Sequence, residues 1–169
     1  MKSRSAEKWV INASPVIALA HVGQLALLTR LPQQAVIPRA VQDEILRAPE
    51  DDPARRAINS GLLTVIDTPT APATLLAWDL GQGETAVLSY AFTHREWIAI
   101  LDDGAALRCA RSLSVRITGT LAVVILAKQY GLIPSAVQIL HDLRSVGFRL
   151  DDAVIRNALA RTIGETWLP

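Results

Sequence analysis

The chain has 169 residues, a length typical of one domain with a sizeable core, and its one cysteine excludes a disulfide framework or a cysteine-rich metal site. Half of the residues are hydrophobic but only 5% are aromatic, so the core must consist mainly of Ala, Val, Leu and Ile. The net charge of +1 excludes the strongly basic class of nucleic-acid-binding domain, and any contact with nucleic acid must be local.

The first half of the chain alternates short apolar strands with helices. A buried strand is predicted at residues 9–11 and ends at Asn12, after which Ser14 and Pro15 predict the N-cap and first position of a helix over 16–22. The elements predicted next are a short helix at 24–31, a strand at 35–37, a helix from 38 to 48, a helix at 54–60 capped by Asp52, and a strand at 62–66.

The second half continues the same alternation. The predicted elements are a loop at 67–73, a helix at 84–92, a strand at 97–101, a helix at 105–113, a strand at 115–118, and helices at 121–130, 134–146 and 151–163. Strands that alternate with helices indicate an α/β fold with a parallel sheet and right-handed crossovers. No linker or repeat divides the chain, so we expect one domain over 1–169, with the C-terminal helices at about 134–165 packed on it or extending it.

No apolar run approaches the roughly 20 residues that a membrane span needs. Lys2, Arg4 and Lys8 precede an apolar stretch that imitates a secretory signal. However, Asn12 and Pro15 interrupt this stretch, and the apolar pattern continues past the supposed cleavage site to Leu28. We therefore expect a cytoplasmic protein without a membrane anchor.

Several polar side chains occur where the carboxyl ends of parallel strands meet, which is where such sheets place their functional sites. Asn12 ends the first strand, and Asp102 and Asp103 directly follow the strand at 97–101. Glu44 falls on or beside the buried stripe of its helix, and Glu84 lies in the first turn of another helix, on its buried face.

Each of these residues also has a structural alternative. Glu84 in a first turn can simply complement the helix dipole. One of Asp102 and Asp103 is expected to cap the following helix. Asn12 is equally consistent with a turn former, and Ser14 is a helix cap first and a site residue second.

Electrostatics favours one way of combining the candidates. Carboxylates buried together raise each other's pKa and cost stability unless a cation is present. A cluster of Glu44, Glu84, Asp102 or Asp103, and the amide oxygen of Asn12 makes physical sense mainly as a site for a hard metal ion. Ligands that are all oxygen favour Mg²⁺ or Mn²⁺ over zinc.

Five segments, in this order and spacing, resemble the PIN-domain family, a group that includes the toxin ribonucleases of prokaryotic toxin–antitoxin pairs. The segments are VINASPVI (10–17), VQDEI (41–45), GQGETA (81–86), LDDG (101–104, with Ala106 and Ala110) and ITGTL (117–121). The resemblance covers about residues 9–150 and is to an uncharacterised prokaryotic branch. It implies a three-layer α/β/α fold with a central parallel sheet of about five strands, and a Mg²⁺- or Mn²⁺-dependent endoribonuclease.

The resemblance also assigns roles by position. Asn12 falls where the family usually has its first aspartate, Glu44 matches the second acid, Glu84 the third and Asp103 the fourth, with Asp102 as the alternative metal ligand. Ser14, Thr118 and Thr120 lie where polar groups border the site.

Two functions follow from the resemblance, and the choice depends on Asn12. One is an active metal-dependent ribonuclease, the toxin of a toxin–antitoxin pair. The alternative is a catalytically weak or inactive PIN-like domain that binds RNA or a protein partner, because an amide replaces the first carboxylate. The partners that the resemblance implies are an RNA substrate and a small antitoxin. Separately, the positive mean hydropathy of +0.27 indicates apolar surface that a second copy of the chain would cover, so we expect a homo-oligomer, with a dimer favoured.

Overall fold

The chain is described over residues 5–169 by a computed structural model. Lys2 and Arg4, two of the three basic residues on which the similarity to a secretory signal rests, lie outside the described residues. Within residues 5–169, no helix has both the length and the apolar composition that a membrane crossing requires.

The strands predicted from the sequence all form, and within the described residues they make one parallel sheet. They are β1 (Lys8–Ile11), β2 (Gln34–Pro38), β3 (Thr64–Ile66), β4 (Trp97–Ile100) and β5 (Ile117–Thr118). The order β3-β2-β1-β4-β5 means that the chain winds outward in both directions from the β1–β4 pair. Ile11 lies beside Ile100 in this pair, and the backbone N–H of Asn12 donates to the Ile100 carbonyl at 2.9 Å. The order therefore reverses beside Asn12, which is where open α/β sheets bind their ligands.

Helices cover both faces of the sheet, as the predicted three-layer α/β/α fold requires. They are α1 (Ala13–His21), α2 (Leu27–Arg30), α3 (Arg39–Ile45), α4 (Pro53–Asn59), α5 (Ala73–Leu76), α6 (Gln82–Thr93), α7 (Gly104–Ser112), α8 (Thr120–Gln129), α9 (Ala136–Ser145) and α10 (Asp152–Thr162). Helix α6 packs on β1, β2 and β4 and against α3, while α8 packs against α9 and α10. The predicted fold class is confirmed.

The start of α1 differs from the prediction. Ser14 is predicted as the N-cap, but the helix begins at Ala13 and Asn12 holds the cap position without any capping bond from its side chain. Asp52, in contrast, caps α4 as predicted and accepts hydrogen bonds from the N–H groups of Ala54 and Arg55 at 2.8 and 3.2 Å. Helix α3 ends at Ile45 rather than at residue 48, and α5 is not predicted. The side chain of Asn12 is thus free for a contact outside its own helix.

The C-terminal helices share the buried core of the sheet. Ile155 and Leu159 of α10 are fully buried, and Trp167 beyond the helix is only 2% exposed. Trp167 Nε1 donates to a carboxylate oxygen of Asp152 at 2.8 Å, and Arg144 donates to the same oxygen at 2.6 Å. We call Arg144, Asp152 and Trp167 the C-terminal clasp, because together they tie the chain end to α9 and α10.

We predict that α10 unfolds together with the sheet, as one domain requires. Ile155→Ala removes fully buried atoms and is expected to destabilise the whole protein by about 2–5 kcal/mol. The matched control is Val154→Ala on the same helix, where the side chain is 56% exposed, and its expected effect is within about 0.5 kcal/mol. Urea unfolding followed by circular dichroism and tryptophan fluorescence measures both; two separate transitions would contradict a single domain.

Candidate functional site

The side chains of Asn12, Glu44 and Glu84 come together at the carboxyl end of β1. Asn12 is 2% exposed, and its Nδ2 donates a hydrogen bond to Glu84 Oε1 at 3.1 Å. Glu84 lies in the first turn of α6, and Glu44 comes from the end of α3, the helix that packs against α6. Residues that are far apart in the sequence therefore form one polar cluster, which we call the acid cluster.

Gly83 allows the side chains of this cluster to approach one another. A Cβ atom at Gly83 would lie 2.9 Å from Asn12 Oδ1 and 3.0 Å from Glu44 Oε2, both closer than ordinary van der Waals contact. The two oxygens therefore converge on the space that a larger residue at position 83 would fill. Gly83 is a spatial requirement of the cluster rather than a helix breaker.

Within the described residues, positive charge compensates the acid cluster only in part. Asn12 Oδ1 is buried and has no hydrogen-bond partner among the described residues. Partial burial raises the pKa of Glu44, and repulsion from Glu84 raises it further, while Arg47 opposes the shift only in part. Glu44 keeps an exposed outer side at the rim, so the cluster is open to an ion or ligand from solvent.

The cluster forms one wall of a cleft of about 310 Å³. Helix α1 provides a second wall with Ser14 and His21, and the turn after α9 provides a third with Val146 and Phe148. His21 Nε2 lies 2.8 Å from Asp52 Oδ2, so the residue that caps α4 also fixes the imidazole at the cleft. Burial alone would raise the pKa of Asp52, but the hydrogen bonds from His21 and from the first turn of α4 lower it.

Asp102 and Asp103 make different contacts. Asp103 is exposed, and its Oδ1 caps α7 by accepting a hydrogen bond from the Ala106 N–H at 2.8 Å. Asp102 accepts hydrogen bonds from the N–H and hydroxyl of Thr120, at 2.8 and 2.7 Å. Neither residue lines the cleft of the acid cluster.

The alternation of strand side chains explains why Asp102 lies apart. Asp102 and Thr118 line a separate cavity of about 900 Å³, together with Trp9 and Ile98. Trp9 and Ile98 lie side by side in the sheet and point to the same face. Side chains alternate between faces, so Asp102, four residues beyond Ile98, points to that face too. Asn12, three residues beyond Trp9, points to the opposite face. Burial raises the pKa of Asp102, and the two hydrogen bonds from Thr120 oppose that shift.

The donor set of the acid cluster fits a hard cation. No group of three or more His, Cys, Asp or Glu side chains within residues 5–169 is arranged to hold a metal ion. The atoms that do meet are two carboxylates and the unpartnered amide oxygen of Asn12. Oxygen-only donors suit Mg²⁺ or Mn²⁺, and Mg²⁺ usually keeps several waters, so a few protein ligands are sufficient.

Three features of the cleft are not predicted from the sequence. No role in the site is predicted from the sequence for His21 or Phe148, and Gly83 is predicted only as part of the 81–86 segment that carries the resemblance. A signal for His21 exists, because Ser14, Ile17 and His21 recur at helical spacing on one face of α1. No comparable signal places Phe148 beside residues more than 60 positions away.

A family comparison covers nearly all of the described chain. The DUF3368 family model, described as a PIN domain, matches residues 8–164. The match includes α9 and α10, two helices that are predicted from the sequence and expected to pack on the domain or extend it. No curated protein matches the sequence.

We predict that Gly83→Ala disrupts the acid cluster without changing its charge. The new methyl group must displace Asn12 Oδ1 or Glu44 Oε2, and Asn12 is too buried to move freely. Affinity for Mn²⁺, measured by calorimetry, should fall at least about tenfold, a loss of about 1.4 kcal/mol. Gly104→Ala, in the first turn of α7, is the control, because its Cβ would only touch Arg108 at 3.5 Å. Equal affinities in both variants would contradict this geometry.

We also predict a pH-dependent role for Thr120, which is fully buried. Thr120→Val removes the hydroxyl that stabilises the Asp102 carboxylate and should cost about 1–3 kcal/mol of unfolding free energy at pH 7. The pKa of Asp102 is raised on folding, so this cost should shrink as the pH falls through that raised pKa and the group becomes neutral. Thr120→Ser keeps the hydroxyl and should lose much less. Chemical unfolding at several pH values tests this; a cost independent of pH would be contrary to it.

Proposed function

Because this chain belongs to the PIN-domain family, we propose that it is a metal-dependent ribonuclease that hydrolyses phosphodiester bonds at the acid cluster. The observation that carries the proposal is the buried Asn12 Oδ1, which has no partner among the described residues and converges with Glu44 Oε2 on Gly83. An unpaired buried oxygen beside two carboxylates costs free energy, and a bound cation removes that cost.

Glu44, Glu84 and Asn12 Oδ1 would hold Mg²⁺ or Mn²⁺, and Asp103 remains a further predicted ligand. Asp102, the predicted alternative to Asp103, instead has both carboxylate oxygens bonded by Thr120. When bound, a divalent cation at this cluster lowers the pKa of a water and offsets negative charge on the reacting phosphate. Asn12 Nδ2 keeps the Glu84 carboxylate oriented through its hydrogen bond. The carboxylate of Glu44, at the rim, must be ionised to bind the cation, so cation affinity should fall as the pH drops through the raised pKa that Glu44 has in the metal-free protein.

The cleft beside the cluster supplies the groups that a polyanionic substrate needs. Asp52 holds His21, which lies two helical turns after Ser14, or roughly 10 Å further along α1. At that separation His21 suits a phosphate next to the scissile one rather than the reacting atoms. Ser14 supplies a hydroxyl nearer to the cluster.

A second candidate function is favoured by one specific residue, Asn12. Two unit charges about 4 Å apart interact by about 4 kcal/mol at an effective dielectric constant of about 20. An amide in place of the carboxylate should therefore weaken cation binding by on the order of two decades once hydration is included. The alternative is a PIN-like domain with weak or no catalysis that binds RNA or a protein partner.

We further propose that the protein is a cytoplasmic toxin with a small antitoxin partner, and that it forms a homodimer. A basic side chain of the antitoxin would enter the acid cluster and replace the missing positive charge. Exposed apolar side chains support contacts with other chains, since Leu76 is 58% and Trp78 is 36% exposed. Co-purification with a small protein encoded alongside, and the mass of the purified protein in solution, test these two proposals.

We predict that cleavage of single-stranded RNA depends on Mn²⁺, stops in EDTA and is lost in Glu84→Gln. Asn12→Asp should raise the affinity for Mn²⁺ about 100-fold, because it adds one charge beside the cation. The same variant should destabilise the metal-free protein, because it adds a third carboxylate and removes the donor to Glu84. Calorimetry, an RNA cleavage assay and thermal unfolding measure these effects.

The matched control is Asp43→Asn, which removes a carboxylate from the neighbouring exposed position of α3 and should leave cleavage unchanged. Cleavage that survives EDTA would refute the metal-dependent mechanism. Absence of cleavage in both the wild type and Asn12→Asp, with RNA or protein binding retained, would favour the second candidate function.

A further inference from the structure

The turn between α9 and α10 belongs to two neighbouring cavities. Val146, Gly147 and Phe148 line the cleft of the acid cluster. Gly147 and Phe148 also line a second cavity of about 550 Å³, which continues to Arg149 and Arg144. Gly147 and Phe148 therefore border both the cleft of the acid cluster and the cavity of the arginines.

The turn is held in place by several hydrogen bonds. Arg144 donates to the Leu150 carbonyl at 2.7 Å and, as part of the C-terminal clasp, to Asp152 at 2.6 Å. Asp151 caps α10 by accepting from the Ala153 N–H at 2.8 Å. Gly147, at φ +91°, supplies the left-handed conformation that ends α9. A surface fixed in this way binds a ligand without first losing conformational entropy.

Arg144 and Arg149 differ in their availability. Arg144 is engaged with Asp152 and lies 5.0 Å from the centre of the Trp167 ring. Arg149 is exposed and makes no ion pair within the described part of the chain. The turn therefore presents one uncommitted guanidinium, next to an aromatic ring, at the exit of a strongly acidic cleft.

This combination matches the needs of a nucleic-acid strand. The acid cluster repels phosphates that do not sit on a cation, so the flanking phosphates need a positive group elsewhere. Aromatic rings bind unpaired bases by stacking, whatever the base identity. Phe148 is half-buried at the shared edge of the two cavities, with the rest of its surface packed on the core.

We propose that the α9–α10 turn positions the substrate strand: Phe148 stacks on a nucleotide next to the scissile phosphate, and Arg149 binds a phosphate further along. This inference rests on the proposed function, because it assigns the strand's path at the same cleft. Phe148 and Arg149 act by positioning, and neither touches the reacting atoms.

The test measures binding separately from cleavage. A fluorescently labelled single-stranded RNA is titrated with the full-length protein in Ca²⁺ buffer at several salt concentrations, and the RNA is checked to be intact afterwards. Phe148→Leu keeps apolar volume but removes the ring, and it should weaken binding about tenfold without changing the salt dependence. Arg149→Gln should weaken binding about fivefold and reduce the slope of log K against log salt by about one.

Two controls distinguish a local role of the turn from a general effect of charge, folding or metal binding. Arg161→Gln removes an exposed arginine of α10 away from the turn and should change neither affinity nor slope. Mn²⁺ affinity and thermal midpoint should be unchanged in Phe148→Leu and Arg149→Gln, which excludes a folding or metal-binding defect.

The outcomes distinguish the proposed role of the α9–α10 turn from the proposed nuclease function. Wild-type RNA affinity and salt slope in both variants would overturn the role of the turn while leaving the nuclease proposal intact. No RNA binding by the wild type would overturn both. Loss of binding to a co-purified protein partner, with RNA binding unchanged, would identify the turn as a protein-docking surface and also overturn the proposal.

Discussion

Uncompensated negative charge around the space at Gly83 is the constraint on which the site depends. The Glu44 carboxylate and the buried Asn12 amide oxygen converge there, Glu84 repels Glu44, and within residues 5–169 Arg47 opposes part of that repulsion. The fold tolerates this charge because the backbone N–H of Asn12 donates to the Ile100 carbonyl. That hydrogen bond fixes Asn12 at the β1–β4 pair, where the strand order reverses. The packing of α3 on α6 then brings the two glutamates to it.

The two faces of the sheet divide the acidic residues between two tasks. On the α6 face, Asn12 and its neighbours are left with unused oxygen lone pairs that suit a cation. On the other face, both oxygens of Asp102 are bonded by Thr120, which begins α8. Asp102 therefore anchors a helix start, and Asp103 does the same for α7. For Asn12 and Asp102, the direction of the strand side chain thus separates an oxygen left for a cation from oxygens that are bonded within the fold.

The C-terminal helices complete the cleft as well as the core. The clasp of Arg144, Asp152 and Trp167 secures the α9–α10 turn, and Phe148 of that turn faces the acid cluster across the cleft. Hydrogen bonds from Trp167 and Arg144 lower the pKa of Asp152, so the clasp keeps its negative charge to a more acidic pH than a free aspartate would. Stability at the chain end and geometry at the cleft are therefore linked through one turn.

The sequence by itself determined the α/β fold, the strands and the family, because short apolar runs between helices have few ways to pack and the PIN segments occur in order. It also determined local caps such as Asp52, whose partners lie within three residues. Only the tertiary structure decided that Asn12 bonds Glu84, 72 positions away, instead of capping α1. Likewise, only the structure decided that Asp102 turns away from the cluster and that Phe148 borders it. These outcomes depend on strand register and helix packing, which bring together residues whose local sequence carries no information about each other.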